Sequence, residues 1–278
     1  MASNPNSVGS TGGFANGYGK NSQDVVVGAF LAAYGGKDAS KVKSNSFPRI
    51  PLPNWRINYN GLTKYPFFNN IFSSFDLSHT YRSSYNINSF NSLVRYKEEN
   101  GASFAKDVNN NFLPAYQFSQ VTLTEQFLPL IGIDFRLKNN MNANFEYRKS
   151  RALSLSLANS QLAQLRDDGL VFGFGYRTTS FRFPFGLFGG RKLTNDLNFK
   201  LDFALNDRKT VIYRADVTDA EISSGAKNIT VRPSLDYVLN QRLNIRMFYD
   251  GNITKPYTSQ TFNTSFSNFG VSLRFTLQ

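Results

Sequence analysis

The sequence predicts an all-β protein that forms the wall of a transmembrane antiparallel β-barrel, with about 10–11 long strands, a short N-terminal helix and an irregular, plug-like segment. Aromatic residues make up 15% of the chain although its mean hydropathy is only -0.35. Apolar and polar residues alternate with period two over most of its length. A barrel wall explains both observations, because every second strand residue faces lipid and the others face a wet lumen. No apolar run approaches the ~18 residues of a membrane-spanning helix.

The chain divides into a flexible or plug-like segment, residues 1–46, and a barrel-strand region, residues 47–278. In the first segment, DVVVGAFLAAY at 24–34 follows a possible cap at Ser22 or Asp24 and precedes two glycines, which predicts a three-turn helix. This helix is too short to span a bilayer. We expect it either against the interior or mouth of the barrel or as a packed core helix.

The N-terminus, MASNPNSVGS, lacks both the basic start and the apolar run of a secretory signal. A protein of the outer membrane needs such a signal for export. We therefore expect this chain to be the C-terminal fragment of a longer protein.

Three prolines mark the entry into the strand region. Pro48, Pro51 and Pro53 cannot donate to a regular ladder, so we expect an extended segment that enters a first strand near 55–59. Short turns such as 139–141 and 240–242 alternate with longer connections such as 98–112 and 207–227, as at the two ends of a barrel. The remaining strands are predicted at 73–89, 91–97, 117–127, 131–138, 142–157, 170–179, 197–206, 228–239, 243–250 and 269–277.

The alternation assigns a lipid face and a lumen face to each strand, and residues 197–206 separate the two without error. The predicted lipid-facing residues are Phe135, Phe145, Phe172, Phe174, Phe199, Leu201, Phe203, Tyr237, Leu273 and Phe275. The predicted lumen-facing charged residues are Asp134, Arg136, Glu146, Arg148, Arg177, Lys200, Asp202, Arg232, Asp236, Arg246 and Arg274.

The formal net charge of +12 raises the possibility of nucleic-acid binding. The basic residues recur singly along the predicted strands, however, so we expect them to line a lumen and predict no nucleic-acid partner. A basic lumen would favour anionic or acidic cargo. Asp134, Glu146, Asp202 and Asp236 lie on the same faces beside Arg or Lys, which predicts a ladder of cross-strand ion pairs.

The residues that catalysis or metal binding would need are scarce. The chain has no cysteine and a single histidine, His79, so it has neither a thiolate site nor a histidine cluster. A serine triad would have to be built on that one residue. We predict no catalytic, metal or cofactor site and expect that the protein is not an enzyme. His79 shares a strand face with Phe75, Leu77 and Tyr81, which favours a structural role.

Three ordered blocks between Gly17 and Phe90 resemble a known family: GYGKNSQDVVVGAFLAAYGGKD, FPRIPLPNWRINYNGL and FDLSHTYRSSYNINSF. They are similar to the C-terminal region of the SprA/Sov family, the outer-membrane translocon of the type IX secretion system in Bacteroidetes. The resemblance implies a location in the bacterial outer membrane and a wide barrel that passes folded proteins to the cell surface, linked in some species to gliding motility. It implies outer-membrane lipid, secreted cargo proteins and gating or plug proteins as partners.

The family resemblance also implies a structural role for its signature positions, as an extended, proline-stiffened entry from the lumen into the wall. These positions are Pro51, Pro53, Asn54, Trp55, Tyr59, Gly61, His79 and Tyr81. Family members are several times longer, so the chain would supply an incomplete part of a much larger barrel. Alone it should form an open, curved sheet with unpaired edges or a small strained barrel.

Two alternatives stay open beside the translocon segment. A self-contained porin-like channel of about ten strands would require the first strand to pair with the last. A surface β-sandwich adhesin would require the apolar faces of two sheets to pack on each other.

Overall fold

The computed structural model describes residues 4–11, 13–35, 53–179, 195–214, 220–240, 242–258 and 261–276. The sequence predictions for Pro48 and Pro51 lie outside these residues.

The described chain is mostly β-strand, with a helix α1 at Gln23–Gly35, a 3-10 turn at Gly61–Lys64 and a helix α2 at Pro66–Ile71. The strands are β1 (Ser10–Thr11), β2 (Phe14–Ala15), β3 (Trp55–Tyr59), β4 (Phe72–Ser92), β5 (Glu98–Glu99), β6 (Ala102–Ser103), β7 (Tyr116–Leu137), β8 (Met141–Ser156), β9 (Gln161–Thr178), β10 (Leu197–Arg214), β11 (Glu221–Asn240), β12 (Leu243–Pro256) and β13 (Thr264–Phe275).

Nine of these strands form one antiparallel sheet, in the order β3-β4-β7-β8-β9-β10-β11-β12-β13. Each of its long strands pairs with the next long strand along the chain. The sheet is open across the described residues, because β3 and β13 are its two edges and do not pair with each other. The pairs β1–β2 and β5–β6 form separate small sheets.

The sheet has nine strands, fewer than the about 10–11 that were expected. One reason is that two of the predicted strands form a single strand. The stretches 117–127 and 131–138 both belong to β7. The ladder between β7 and β8 shifts between Phe127 and Ile131. Pro129 lies at this irregularity. Proline is tolerated here because the hydrogen-bond ladder is already interrupted, so its missing N–H group breaks no regular pair.

The predicted strand at 91–97 is not a separate strand. β4 ends at Ser92, and the chain then turns, with the Tyr96 N–H donating to the Leu93 carbonyl at 2.9 Å. The Leu93 N–H still donates to the Ala115 carbonyl, which closes the connection beside the start of β7. This stretch therefore ends one strand and does not begin another.

Helix α1 packs on one end of the sheet and forms the main buried core there. It extends one residue beyond the predicted range at each end, and the Ser22 carbonyl accepts a hydrogen bond from the Val26 N–H at 2.9 Å. We call the part of the sheet beneath it the helix-covered region. The buried cluster comprises Val27, Phe30, Val121, Leu123, Leu153 and Leu155. Among the described residues, no helix has both the length and the apolar character to cross a membrane.

The N-terminal segment docks on the hairpin between β4 and β7. Asn4 donates to the Ser103 carbonyl at 3.0 Å, and the Phe112 N–H donates to the Gly17 carbonyl at 2.8 Å. A Cβ on Gly17, whose φ is +85°, would lie 2.2 Å from the Phe112 ring. These contacts hold the described part of the N-terminal segment to the 98–113 hairpin, at the end of the sheet where α1 lies. This is the segment that was expected to be flexible or plug-like.

Candidate functional site: the two faces of the sheet

The strand register aligns the apolar residues of successive strands in continuous rows. Phe145 pairs with Phe172, Phe172 with Phe203, and Phe203 with Val231. Because directly paired residues point to the same side of a sheet, all ten predicted lipid-facing residues lie on one face. We call it the apolar face.

Five neighbouring rows of the apolar face contain no charged side chain, and we call them the apolar band. They are the rows that contain the β10 residues Leu197, Phe199, Leu201, Phe203 and Leu205. Only one of these five side chains, Leu197, is buried. At the β13 edge Phe269 and Leu273 are 69% and 67% exposed. Within the described chain, no helix or second sheet packs on the band between β8 and β13.

The opposite, polar face holds all eleven predicted lumen-facing charged residues. Three of its arginines form cross-strand ion pairs with carboxylates of neighbouring strands. Arg208 pairs with Asp167 at 2.8 Å and Arg232 with Asp250 at 2.8 Å. These pairs are largely exposed, so each contributes little to stability.

The expected ion-pair ladder forms only in part among the described residues. Asp236 pairs across strands with Arg246 at 3.7 Å, as expected. Glu146 instead pairs with Arg148 on its own strand. Asp202 and Asp134 form no ion pair with any residue that the structure describes. Asp202 lies opposite Arg232, whose guanidinium binds Asp250, and Asp134 lies opposite another carboxylate, Asp76.

Short residues on the polar face let neighbouring polar side chains lie flat on the sheet. A Cβ on Gly173 would lie 2.0 Å from Asn144 Oδ1, and one on Gly175 would lie 2.6 Å from Asn142 Oδ1. Larger residues at these glycines would push the asparagines away from the sheet. The polar face is therefore lined by small residues and short amides between its charges.

The described positions that carry the family resemblance lie at the β3 edge of the sheet. The Trp55 ring stacks on Tyr81 with 4.3 Å between centroids, and His79 Nδ1 lies 2.6 Å from the Leu130 carbonyl oxygen. Asn54 Oδ1 accepts a hydrogen bond from the Ser83 N–H at 2.6 Å. The Trp55 and Asn54 contacts fasten the short edge strand β3 to β4, and the His79 contact joins β4 to β7.

Of the remaining signature positions, the structure describes Pro53, Tyr59 and Gly61. A Cβ on Gly61 would lie 2.9 Å from the Tyr59 ring, so a larger residue there would displace the ring. Pro53 is exposed just before β3.

A polar cluster that sequence reasoning missed fixes α1 to the sheet. Glu125 on β7 accepts hydrogen bonds from Tyr34 of α1, from Tyr81 of β4 at 3.1 Å and from Arg151 of β8 at 2.6 Å. The Arg151 guanidinium also lies over the Tyr34 ring, 5.4 Å from its centroid. Burial and the hydrogen bond to Glu125 raise the pKa of Tyr34 above its usual range, which keeps its hydroxyl a donor.

Helix α1 lies on the apolar face. Leu153 and Leu155 beneath it share the face of Ala143 and Phe145, because the ladder between β8 and β9 runs without a shift. α1 therefore does not lie on the polar face, where the sequence analysis placed the lumen. Its position agrees with the second expectation, a packed core helix.

Two rows of charged residues separate the helix-covered region from the apolar band, and we call them the charged belt. The first row pairs Lys149, Asp168, Asp207, Lys227 and Lys255 across five strands, and the second pairs Glu125, Arg151, Arg166 and Lys209. In the sequence Lys149 and Arg151 interrupt the apolar positions of β8, but only the strand register aligns them with the other charges of the belt.

No group of three histidine, cysteine or acidic side chains in the described parts of the chain is arranged to hold a metal ion. Neither the known protein-family models nor the curated proteins give a match to this sequence. A functional assignment therefore depends on the two faces of the sheet.

Proposed function

We propose that the chain forms part of the wall of a bacterial outer-membrane pore, with the apolar band against lipid and the polar face toward the lumen. The uncharged, uncovered apolar band supports this proposal most directly. A water-soluble protein with such a face would expose a continuous apolar patch of many Phe and Leu side chains, which would drive aggregation. Lipid tails cover such a face without a second protein layer.

The height of the apolar band fits a bilayer. Rows on one face of a strand lie about 6.7 Å apart, and a tilt of about 40° reduces this to about 5 Å of depth for each row. Five rows then occupy about 25 Å, the height of the apolar belt of outer-membrane barrels. β10 has 18 residues, and the residues beyond the band would extend out of the membrane.

The turns supply an orientation for the wall. Two tight connections, residues 138–140 and the one from Asn240 to Leu243, lie at the end of the sheet next to the apolar band, where β13 also ends; the connection from Thr178 to Leu197 at the same end is longer. Barrels of the outer membrane have short periplasmic turns. We therefore place this end in the periplasm and α1, with the charged belt, on the outer side.

A protein-conducting translocon is the specific pore that we propose. The resemblance of residues 17–90 to the SprA/Sov family supports type IX secretion as its process, with secreted cargo, gating or plug proteins and outer-membrane lipid as partners. A self-contained small channel would need a closed sheet, whereas β3 and β13 are separate edges in the described chain. A β-sandwich would need a second large sheet facing the first.

The test of the wall uses nitroxide labels, because the chain has no native cysteine to interfere. Leu201→Cys and Lys200→Cys are neighbours that place a label on opposite faces. In lipid vesicles the label at 201 should collide mainly with oxygen, which dissolves in the bilayer, and the label at 200 mainly with a water-soluble nickel complex. Equal nickel access at both positions would disprove the wall assignment.

The translocon proposal has a separate test in cells that secrete by this route. A photo-crosslinking residue at Lys200 should link the chain to secreted cargo, whereas one at Leu201 should link it to lipid alone. If the wall assignment holds but position 200 gives no crosslinks to cargo, the translocon proposal is disproved and the pore proposal stands.

A further inference from the structure

We propose that the charged belt on the apolar face binds the phosphate groups of lipid headgroups at the outer surface of the membrane. This inference rests on the proposed function, which puts the belt directly above the apolar band. Its two rows occupy about 10 Å of depth, comparable to one headgroup layer. The belt thus lies at the depth where lipid phosphates would be found.

The charges of the belt favour an anion. It has six basic and three acidic side chains, and two of the three carboxylates already have partners. Glu125 is held by Arg151 and by the hydroxyls of Tyr34 and Tyr81, and Asp207 accepts a hydrogen bond from the Tyr257 hydroxyl at 2.6 Å.

Five belt cations stay available for a ligand, because within the described residues none of them forms a salt bridge. These cations are Lys149, Arg166, Lys209, Lys227 and Lys255. Arg166 donates to the neutral Gln164 amide at 3.1 Å, and Lys209 lies over the Tyr257 ring. Against them stands one carboxylate, Asp168, whose buried Oδ1 has no hydrogen-bond partner.

A cleft gives the headgroup a place in the belt. It encloses about 340 Å³, opens on the apolar face and is lined by Lys149, Arg151 and Arg166 together with Glu125 and Asp168. Its lower border is the apolar band and its upper border is the helix-covered region. An acyl chain on the band and a phosphate in the cleft would be bound at the same time.

A row of cations beside a lipid-covered surface is how proteins recognise anionic headgroups, and each Lys or Arg near the surface contributes a factor of roughly five in affinity. Arg166 is suited to the phosphate because its planar guanidinium donates two parallel hydrogen bonds.

The test compares two triple variants that lose the same charge from opposite faces. The belt variant is Lys149→Gln, Arg166→Gln and Lys209→Gln. The control variant is Arg136→Gln, Lys200→Gln and Arg274→Gln, three exposed polar-face cations without a salt bridge among the described residues. The full chain, in a neutral maltoside detergent, is titrated with dioctanoyl phosphatidic acid or dioctanoyl phosphatidylcholine, and native mass spectrometry counts the bound lipids.

The belt variant should lose at least tenfold in affinity for phosphatidic acid, while the control variant stays within twofold of the parent chain and phosphatidylcholine binding is unchanged in all three. Equal phosphatidic acid binding by the two triple variants would overturn the inference. Inorganic phosphate that binds the parent chain as tightly as phosphatidic acid would show a site for free anions and would also overturn it.

The nitroxide labels at 200 and 201 separate this failure from failure of the proposed function. If the label at 201 lies in lipid but the belt variant binds phosphatidic acid as the control variant does, the headgroup site is disproved and the wall assignment stands. If the label at 201 lies in water, the wall assignment is disproved and the headgroup site, which depends on it, is disproved as well.

Discussion

Two apolar regions share one face of the sheet but are covered differently. The helix-covered region buries Val121 and Leu123 almost completely beneath α1, with 0% and 2% exposed. The apolar band, farther along the same face, leaves Phe203 and Leu201 partly exposed, and no helix or second sheet of the described chain packs on them. The difference teaches that alternation identifies an apolar face but does not say what covers it. The charged belt lies at the boundary between the region that α1 covers and the apolar band that no described element covers.

The same substitution made in both regions is the strongest way to test this comparison. Leu123→Arg puts an unpaired charge between α1 and the sheet, which should cost about 3–5 kcal/mol of unfolding free energy. Urea unfolding of the full chain in detergent and in lipid vesicles should give a similar loss in both, since protein covers the site. A loss seen in vesicles alone would mean that lipid reaches the helix-covered region.

The matching change in the apolar band, Leu201→Arg, should cost about 2–4 kcal/mol in a bilayer and less toward its interfaces. Phe203→Arg should behave alike. Urea unfolding from vesicles measures the cost, with Lys200→Ala on the polar face as the control that should change little. Equal costs at 200 and 201 would contradict the assignment of the faces.

A smaller effect is expected at the boundary between the two regions. Glu125→Gln weakens the acceptor for Tyr34, Tyr81 and Arg151, which should cost about 1–3 kcal/mol and loosen α1. Hydrogen exchange of the α1 amides should rise while exchange in β10 stays constant. Tyr34→Phe removes a single donor and should cost about 0.5–1.5 kcal/mol, so an equal or larger loss there would rule out Glu125 as the centre of the cluster.

The smallest effect is expected for an ion pair that belongs to neither region. Arg208→Ala breaks the exposed pair with Asp167 on the polar face and should cost about 0.2–1 kcal/mol, decreasing further in high salt. Urea unfolding at low and high salt measures it. A salt-independent loss of several kcal/mol would mean that these charges are buried in a way the open sheet does not explain.

Much of the fold could be predicted because strand alternation is a local property. The predicted faces at Phe145, Phe172 and Phe203 agree with the register, and α1 begins and ends within one residue of its prediction. The strand count was too high, since periodicity does not reveal whether the chain passes through an irregularity, as at Pro129, or turns back, as after Ser92.

The polar cluster at Glu125 and the charged belt were harder to foresee. The residues of the cluster come from three strands and from α1, and those of the belt come from six strands. No spacing along the chain brings Tyr34 next to Arg151. The ion pairs show the same limit. Asp202 lies opposite Arg232, yet the guanidinium binds Asp250, because the choice among nearby carboxylates depends on side-chain conformation in the assembled sheet.

The sequence by itself determined the class of structure, the two chemically distinct faces and the short helix, because strands and helices show their periods in adjacent residues. Only the tertiary structure decided that α1 lies on the apolar face, that nine strands form one open sheet and that a charged belt divides the covered region from the bare one. These features depend on contacts between residues far apart in the chain, and the free energy of such contacts has no local sequence signal.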